Sequence, residues 1–377
     1  MLVWLTAASA FSWIALLLLP WRPWSTREQL KISTPQTEGE LDEITVLIPA
    51  RNEAVCVADT LRKLDLQGNF ARVVVIDDQS DDGTAEVARD TLIPGLTIAT
   101  GTTPPEGWSG KLWALQQGLK YCESDYVLLL DADIGLQPGT VSALLRHLKT
   151  NRLDLASLMA NLHMKSFWEK LLLPPFVYFF KLIYPFQLVS SPRSRVAAAA
   201  GGCALVRLDK LRSIGGFMSL KGAIIDDCSL ARRIKESSGR IWIGLSNDAR
   251  ALRPYESLSS IWNMVARTAY TQLHYSYVLL IGCTVLMALS YLVPLIALFS
   301  DSSTTKFLGA IALTAMFGSY LPTVGYYRLP MYWVVTLPTA AMMFLAMTWT
   351  SAIRYVRGER SRWKNRSYPS TQTSTSD

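Results

Sequence analysis

Three short stretches place acids or a lysine where chemistry could follow. VLLLDADIG (127–135) runs aliphatic residues directly into Asp131 and Asp133. A carboxylate at the end of a buried run is costly unless it is paired or binds a metal. On an extended chain, residues two apart face the same way, so both acids could reach one divalent cation. Such oxygen ligands suit Mg2+ or Mn2+, with substrate phosphates filling the remaining positions. Far downstream, Asp226 and Asp227 precede CSLARRIKESSG, a helical pattern. Acids are favoured at a helix start by its dipole, and a carboxylate there could equally serve as a general base toward a hydroxyl. In GWSGKLWALQQG (107–118), Lys111 opens a helical stretch. It could meet a phosphate at a helix N-terminus or simply be a solvated first-turn lysine.

The elements that must carry these residues follow from the pattern between 43 and about 160. Short apolar runs at 43–50, 71–78, 96–100, 126–133 and 154–160 read as strands. Helical stretches fall at 53–66, 82–91, 111–122 and 138–149. Val/Ile/Leu-rich strands alternating with helices predict an α/β domain with a mostly parallel sheet covered on both faces. Ligands of such sheets bind beyond the carboxyl ends of the strands. The first strand ends in Pro49-Ala-Arg51-Asn52-Glu53, the second in Asp77-Asp78-Gln-Ser-Asp-Asp-Gly-Thr84, and the fourth in the Asp131/Asp133 pair. Three polar strand ends on one edge predict a site. No G-x-G-x-x-G follows the first strand and Gly110-Lys111 is not followed by Ser or Thr, which counts against a dinucleotide-binding domain and a P-loop.

The whole chain, 377 residues, is 50% hydrophobic with only 18% charge, and its apolar residues gather at the two ends. Residues 2–19 form an uncharged run of 18, near the minimum for a span, with Arg22, Arg27 and Lys31 after it. A cleavable leader would place its charge before the run. The order here predicts a retained anchor, residues 1–21, with its C-terminal side in the cytoplasm. A C-terminal membrane region at 277–350 contains three more apolar segments, roughly 277–299, 307–326 and 331–350. Three crossings would put the basic stretch Arg354–Arg366 outside, against the positive-inside rule. Either one segment is re-entrant, the middle one with Gly318 and Pro322 first, or the tail is an exception to that rule. Residues 166–190 are apolar and aromatic but interrupted by Pro174, Pro175 and Pro185, which predicts interfacial helices on the bilayer.

The net charge is +7, and much of the excess lies in the tail, 351–377, basic and then Ser/Thr-rich, beside an apolar segment. That reads as an anchor to anionic lipid, with no nucleic acid as partner. Five cysteines without a C-x-x-C pair predict neither a zinc site nor a disulfide framework. Free thiols fit a cytoplasm-facing domain.

PARNE, VIDDQSDDGT, GKLWALQQG, LLLDADI, GGCALVRLDKLRSIGGF (201–217) and IIDDCSLARRI occur in one order. Together they resemble the family 2 glycosyltransferases of GT-A fold over residues 43 to about 275. The membrane arrangement and the GWSGKLWALQQG stretch are most similar to the hopene-associated glycosyltransferases, relatives of ceramide glucosyltransferases. The resemblance implies a Rossmann-like GT-A catalytic domain. Pro49, Arg51, Asn52 and Glu53 would line a nucleotide pocket, with Glu53 and one or both of Asp77 and Asp78 on the uridine. Asp131 and Asp133 would form the DxD motif, and Asp227 would be the base activating an acceptor hydroxyl. Asp226 stands where Glu is commoner, and Gly201 and Gly202 would lie beneath the acceptor. The ceramide-type Q/R-x-x-R-W motif is matched only in part by Met264-Val-Ala-Arg267-Thr268. Arg267 remains as a pyrophosphate contact and Trp262 as a substitute platform, or both simply belong to an amphipathic helix over 257–275.

The implied activity is inverting transfer from a nucleotide-diphosphate sugar, with UDP expected, to a lipid hydroxyl. Mg2+ or Mn2+ would serve as cofactor, and Lys111 or Arg267 would steady the leaving diphosphate. A hopanoid and a polyprenyl phosphate are rival acceptors. The implied location is a bacterial-type plasma membrane, multi-pass, with the catalytic domain facing the cytoplasm. Two other classes compete. An aspartate-based phosphohydrolase would carry Thr where Gly135 stands and its motif after the first strand, not the fourth. A non-catalytic membrane scaffold would tolerate loss of the acids, all of which are present.

Overall fold

The computed structural model describes residues 1–32, 39–223 and 225–358, together with the backbone of 362–363 and 366–367. Ile224 of the IIDDCSLARRI stretch lies outside the described residues, as do the side chains of the basic and Ser/Thr-rich tail beyond Gly358. The chain divides into an α/β unit (28–163, 188–254 and 362–377) and a helical unit (1–27, 164–187 and 255–361).

The α/β unit is built on an eight-stranded sheet. Its strands are β1 (Ile44–Ala50), β2 (Arg72–Asp77), β3 (Leu96–Thr100), β4 (Tyr126–Leu130), β5 (Ile134–Leu136), β6 (Leu155–Asn161), β7 (Cys203–Arg207) and β8 (Ile241–Ala251), in the order β3-β2-β1-β4-β7-β6-β8-β5. All seven residues of β1 are buried, which is why it reads as an uninterrupted apolar run. Ala50 pairs with Asp77 and Leu47 with Leu129, so β1, β2 and β4 run parallel and end on one edge. Beneath that edge Val46, Ile48, Val75, Leu128, Leu130, Leu144 and Leu205 form one buried cluster. Full burial of each such aliphatic side chain contributes about 1.5–3 kcal/mol.

The sheet is more mixed than the apolar runs predict. β7 is antiparallel to both β4 and β6, and β5 is antiparallel to β8. Because Leu130 pairs with Cys203, β7 begins beside the end of β4 and delivers Gly201 and Gly202 to the polar edge. The fourth strand stops at Leu130 instead of running on to 133. Asp131, Ala132 and Asp133 form a turn, with Ile134 N donating to Asp131 O at 3.1 Å. The alternation of side chains along a strand thus does not govern the two acids.

In the helical unit, Leu2–Leu18 is an apolar helix of 17 residues. Tyr277–Ala297, Ser303–Tyr326 and Met331–Val356, with 21, 24 and 26 residues, are long and apolar enough to cross a membrane. The Ser303–Tyr326 helix runs unbroken past Gly318 and Pro322, against the expectation of a re-entrant segment. One proline removes one N–H from a helix of 24 residues, and the remaining ladder holds. The Phe167–Ile183 helix likewise continues through Pro174 and Pro175. It starts at a capping box: Glu169 N donates to Ser166 Oγ at 3.1 Å, and Ser166 N donates to Glu169 Oε2 at 2.8 Å. The stretch expected to form one helix over 257–275 is two, Leu258–Ala266 and Ala269–Gln272.

Candidate active site

The first two strand ends are tied together by side-chain bonds to backbone. Asn52 sits in the left-handed region at φ 52°, a conformation Asn tolerates better than most residues. Its N–H donates to Ser80 Oγ at 3.0 Å and its Oδ1 accepts from Asp81 N at 3.1 Å. Glu53 N donates to Thr84 Oγ1 at 2.8 Å, and Ala54 N to Asp82 Oδ2 at 3.0 Å. Arg51 Nη1 donates to the carbonyls of Asp78 and Gln79 and lies 3.9 Å from Asp78 Oδ2. Asp77 is turned inward, accepting from the Ser80 hydroxyl and N–H. Asp78 is fully buried. Arg51, Asn52, Glu53, Asp77 and Asp78 thus form one cross-braced corner at the carboxyl ends of β1 and β2, while Pro49 lines the cavity that also holds Lys111 and Asp227.

Two cations organise the remaining acids. Lys111 Nζ lies 2.7 Å from Asp131 Oδ1 and 3.6 Å from Asp226 Oδ2. Lys111 is in the first turn of the Gly110–Gly118 helix, which is capped by Ser109 Oγ accepting from Leu112 N at 3.4 Å. Burial opposes charge on Lys111, but Asp131, Asp226 and Asp227 outweigh it and hold its pKa above the ordinary lysine range. Arg253 bridges on the other side: its Nη2 donates to Glu53 Oε2, and its Nε lies 3.7 Å from Asp133 Oδ2. Arg253 escaped the sequence reading. It follows the last residue of β8 by two, and the only signal was its place just beyond a strand end.

Asp226 and Asp227 open the Asp226–Glu236 helix. Asp227 Oδ1 accepts from Cys228 N at 2.7 Å. Burial first, and repulsion from Asp226 second, push its pKa up to about 6, while Lys111 pulls the other way. Gly201 packs against this carboxylate: a Cβ there would lie 3.1 Å from Asp227 Oδ2 and 3.4 Å from Lys111 Nζ. Asp131 N donates to Gly202 O at 3.0 Å, fixing the glycines to the end of β4. A cavity at this point is lined by Lys111, Asp131, Ala199, Gly201, Asp226 and Asp227, with Phe217 and leucines behind them.

Asp131 and Asp133 fit a divalent cation by donor chemistry. Their side chains are 32% and 30% exposed, so waters and phosphate oxygens can complete a shell. Among the described residues no three His, Cys, Asp or Glu side chains cluster as a metal site, so the protein would supply only part of the shell. Arg267 and Trp262 lie in the helical unit, where Arg267 caps the Leu258–Ala266 helix and Trp262 Nε1 donates to Thr350 Oγ1 at 3.2 Å.

A 4,4'-diaponeurosporenoate glycosyltransferase of Staphylococcus haemolyticus (strain JCSC1435) is 38% identical over 102 residues, 26% of either chain. Its counterpart in Staphylococcus aureus (strain bovine RF122 / ET3-1) is 33% identical over 109 residues, 29% of this chain and 28% of that protein. The matched stretch spans about a quarter of the length of these relatives. The fold is similar to that of a mannosyltransferase from Pyrobaculum calidifontis, solved in complex with GDP-Man and Mn2+. The TM-score is 0.56 at 17% identity, covering 94% of this chain and 99% of that one. Residues 45–215 match the family model Glycosyl transferase family 2. Residues 45–215 of this chain are thus similar to glycosyl transferase family 2, and the fold is GT-A-like.

Proposed function

We propose that this protein is a membrane-bound, inverting glycosyltransferase that moves a sugar from a nucleotide diphosphate, with UDP the expected nucleotide, to a lipid hydroxyl. The observation that carries the reading is the Asp227 carboxylate held against Gly201 beside the Lys111–Asp131 pair, where burial raises its pKa toward neutrality. A base poised near neutral pH both accepts a proton and is free to do so.

Asp227 takes the proton of the acceptor hydroxyl as that oxygen attacks the anomeric carbon. The bond from that carbon to the diphosphate oxygen breaks, and its electron pair leaves with the diphosphate. Lys111, held protonated by three acids, offers N–H donors to the departing charge. Arg51, Asn52, Glu53 and the Asp77/Asp78 corner bind the nucleotide base and ribose, and Arg253 keeps Glu53 and Asp133 in place. Asp131 and Asp133 would hold Mg2+ or Mn2+, which when bound neutralises diphosphate charge. Asp226 and Gly202 complete the acceptor side.

Relatives named for 4,4'-diaponeurosporenoate, together with three apolar helices of spanning length, support an apolar acceptor at a membrane. A hopanoid fits that description, and a polyprenyl phosphate is the rival. The same names favour a second reading, in which the acceptor is a lipid carboxylate. Such a group arrives ionised and needs no base. Asp227→Asn separates the two: loss of transfer with nucleotide binding intact supports a hydroxyl acceptor, and retained turnover removes Asp227 as the base.

A further inference from the structure

Lys235 is a half-buried cation that the proposed chemistry does not use. It lies on the Asp226–Glu236 helix, near the end opposite the acids. Its Nζ donates to three backbone carbonyls: Val196 O at 2.6 Å, Val189 O at 2.7 Å and Leu188 O at 3.2 Å. An ammonium has three N–H donors, and all three are used. No carboxylate is among these partners, and burial lowers the Lys235 pKa to about 8. Three carbonyls from one segment take all three donors, which makes this a specific joint and not a freely solvated lysine.

What the joint connects gives it meaning. The carbonyls belong to residues 188–196, the segment that runs into the buried Ala197–Ala200 and then Gly201. That segment is fixed at its far end by Ala200 N donating to Ser157 Oγ at 3.2 Å. A weaker contact, Cys228 Sγ to Ala199 O at 3.8 Å, joins it again to the same helix. Both partners of the joint wall one cavity: Ala199 and Gly201 from the segment, and Asp226, Asp227 and Leu230 from the helix. Since Gly201 stands in contact distance of Asp227, a small slip of the segment against the helix changes the space in front of that carboxylate.

We propose that Lys235 is a positioning residue whose three-carbonyl joint locks the 188–201 segment to the helix bearing Asp227, and so sets the acceptor side of the site. The proposal rests on the reading of Asp227 as the base. Its test uses the full-length protein in detergent, comparing Lys235→Met with Lys235→Arg. Amide hydrogen exchange across 188–201 should speed about tenfold in K235M and be partly restored in K235R, while β1 and β4 keep their protection. Exchange unchanged in K235M overturns the joint, whatever the protein's activity. With UDP-glucose and Mn2+, the amount of hydroxylated lipid extract giving half-maximal transfer should rise about tenfold, with UDP affinity within twofold of wild type. An unchanged acceptor requirement, or a parallel loss of UDP affinity, overturns the positioning role. If K235M does not accumulate as folded protein, Lys235→Gln is read by the same two measurements. Absence of transfer by wild type would count against the proposed function, and the exchange result would still decide the joint.

Discussion

Asp227 and Lys111 are opposite outcomes of one environment. Burial raises the carboxylate, while three neighbouring acids keep the lysine charged. The consequence is a pH profile. A base with a folded pKa near 6 is ionised above that value and protonated below it. Transfer at saturating substrate should therefore be flat from about pH 7 upward toward 8 and fall about tenfold per unit well below 6, by simple titration of one group. A profile with no acid limb would contradict the assignment. Asp133→Asn should weaken Mn2+-dependent UDP binding, as should Asp131→Asn. Unchanged affinity in titrations with Mn2+ present would remove the pair as ligands. Arg253→Met should lower UDP affinity about tenfold, equivalent to about 1.4 kcal/mol, because Glu53 and Asp133 lose the cation they share. Sequence reading found both acids but not their link, since 200 residues separate Arg253 from Glu53.

At the scale of elements, the β1, β2 and β4 ends were legible because buried parallel strands are continuous apolar runs that stop abruptly in polar residues. β7 and β8 were not read as strands. The second half of β8, Ser246-Asn-Asp-Ala-Arg250, is too polar for an apolar run. Helix breaks were over-read: Pro174, Pro175 and Pro322 all lie inside continuous helices. A capping box, Ser166 with Glu169, was present in the sequence and marks the true start of the Phe167–Ile183 helix. The junction before β7 gives the sharpest test of how elements build the site. Gly201→Ala inserts a methyl 3.1 Å from Asp227 Oδ2. Transfer should fall at least tenfold, while stability in denaturant drops by no more than about 1–3 kcal/mol, the range for a modest overpacking. Wild-type turnover in G201A would show that the close approach has no role.

At the scale of the molecule, the sequence separated an apolar C-terminal region from an α/β region. Tertiary assembly then assigned 164–187 and 255–275 to the helical unit. Contacts distant in sequence decide such membership, so hydropathy could not reveal it. Among the described residues, three apolar helices of 21 to 26 residues are long enough to span, so the protein should stay with membranes through an alkaline wash. Release into the soluble fraction would contradict a spanning role. The account's central claim is that Asp227 activates a lipid hydroxyl toward a nucleotide sugar. The most direct measurement incubates purified protein with Mn2+, a panel of UDP- and GDP-sugars and a membrane lipid extract, followed by mass analysis of the lipids. The account predicts a new lipid one glycosyl unit heavier, formed from a UDP-sugar by wild type and absent with Asp227→Asn. A glycolipid made equally by both proteins would contradict it.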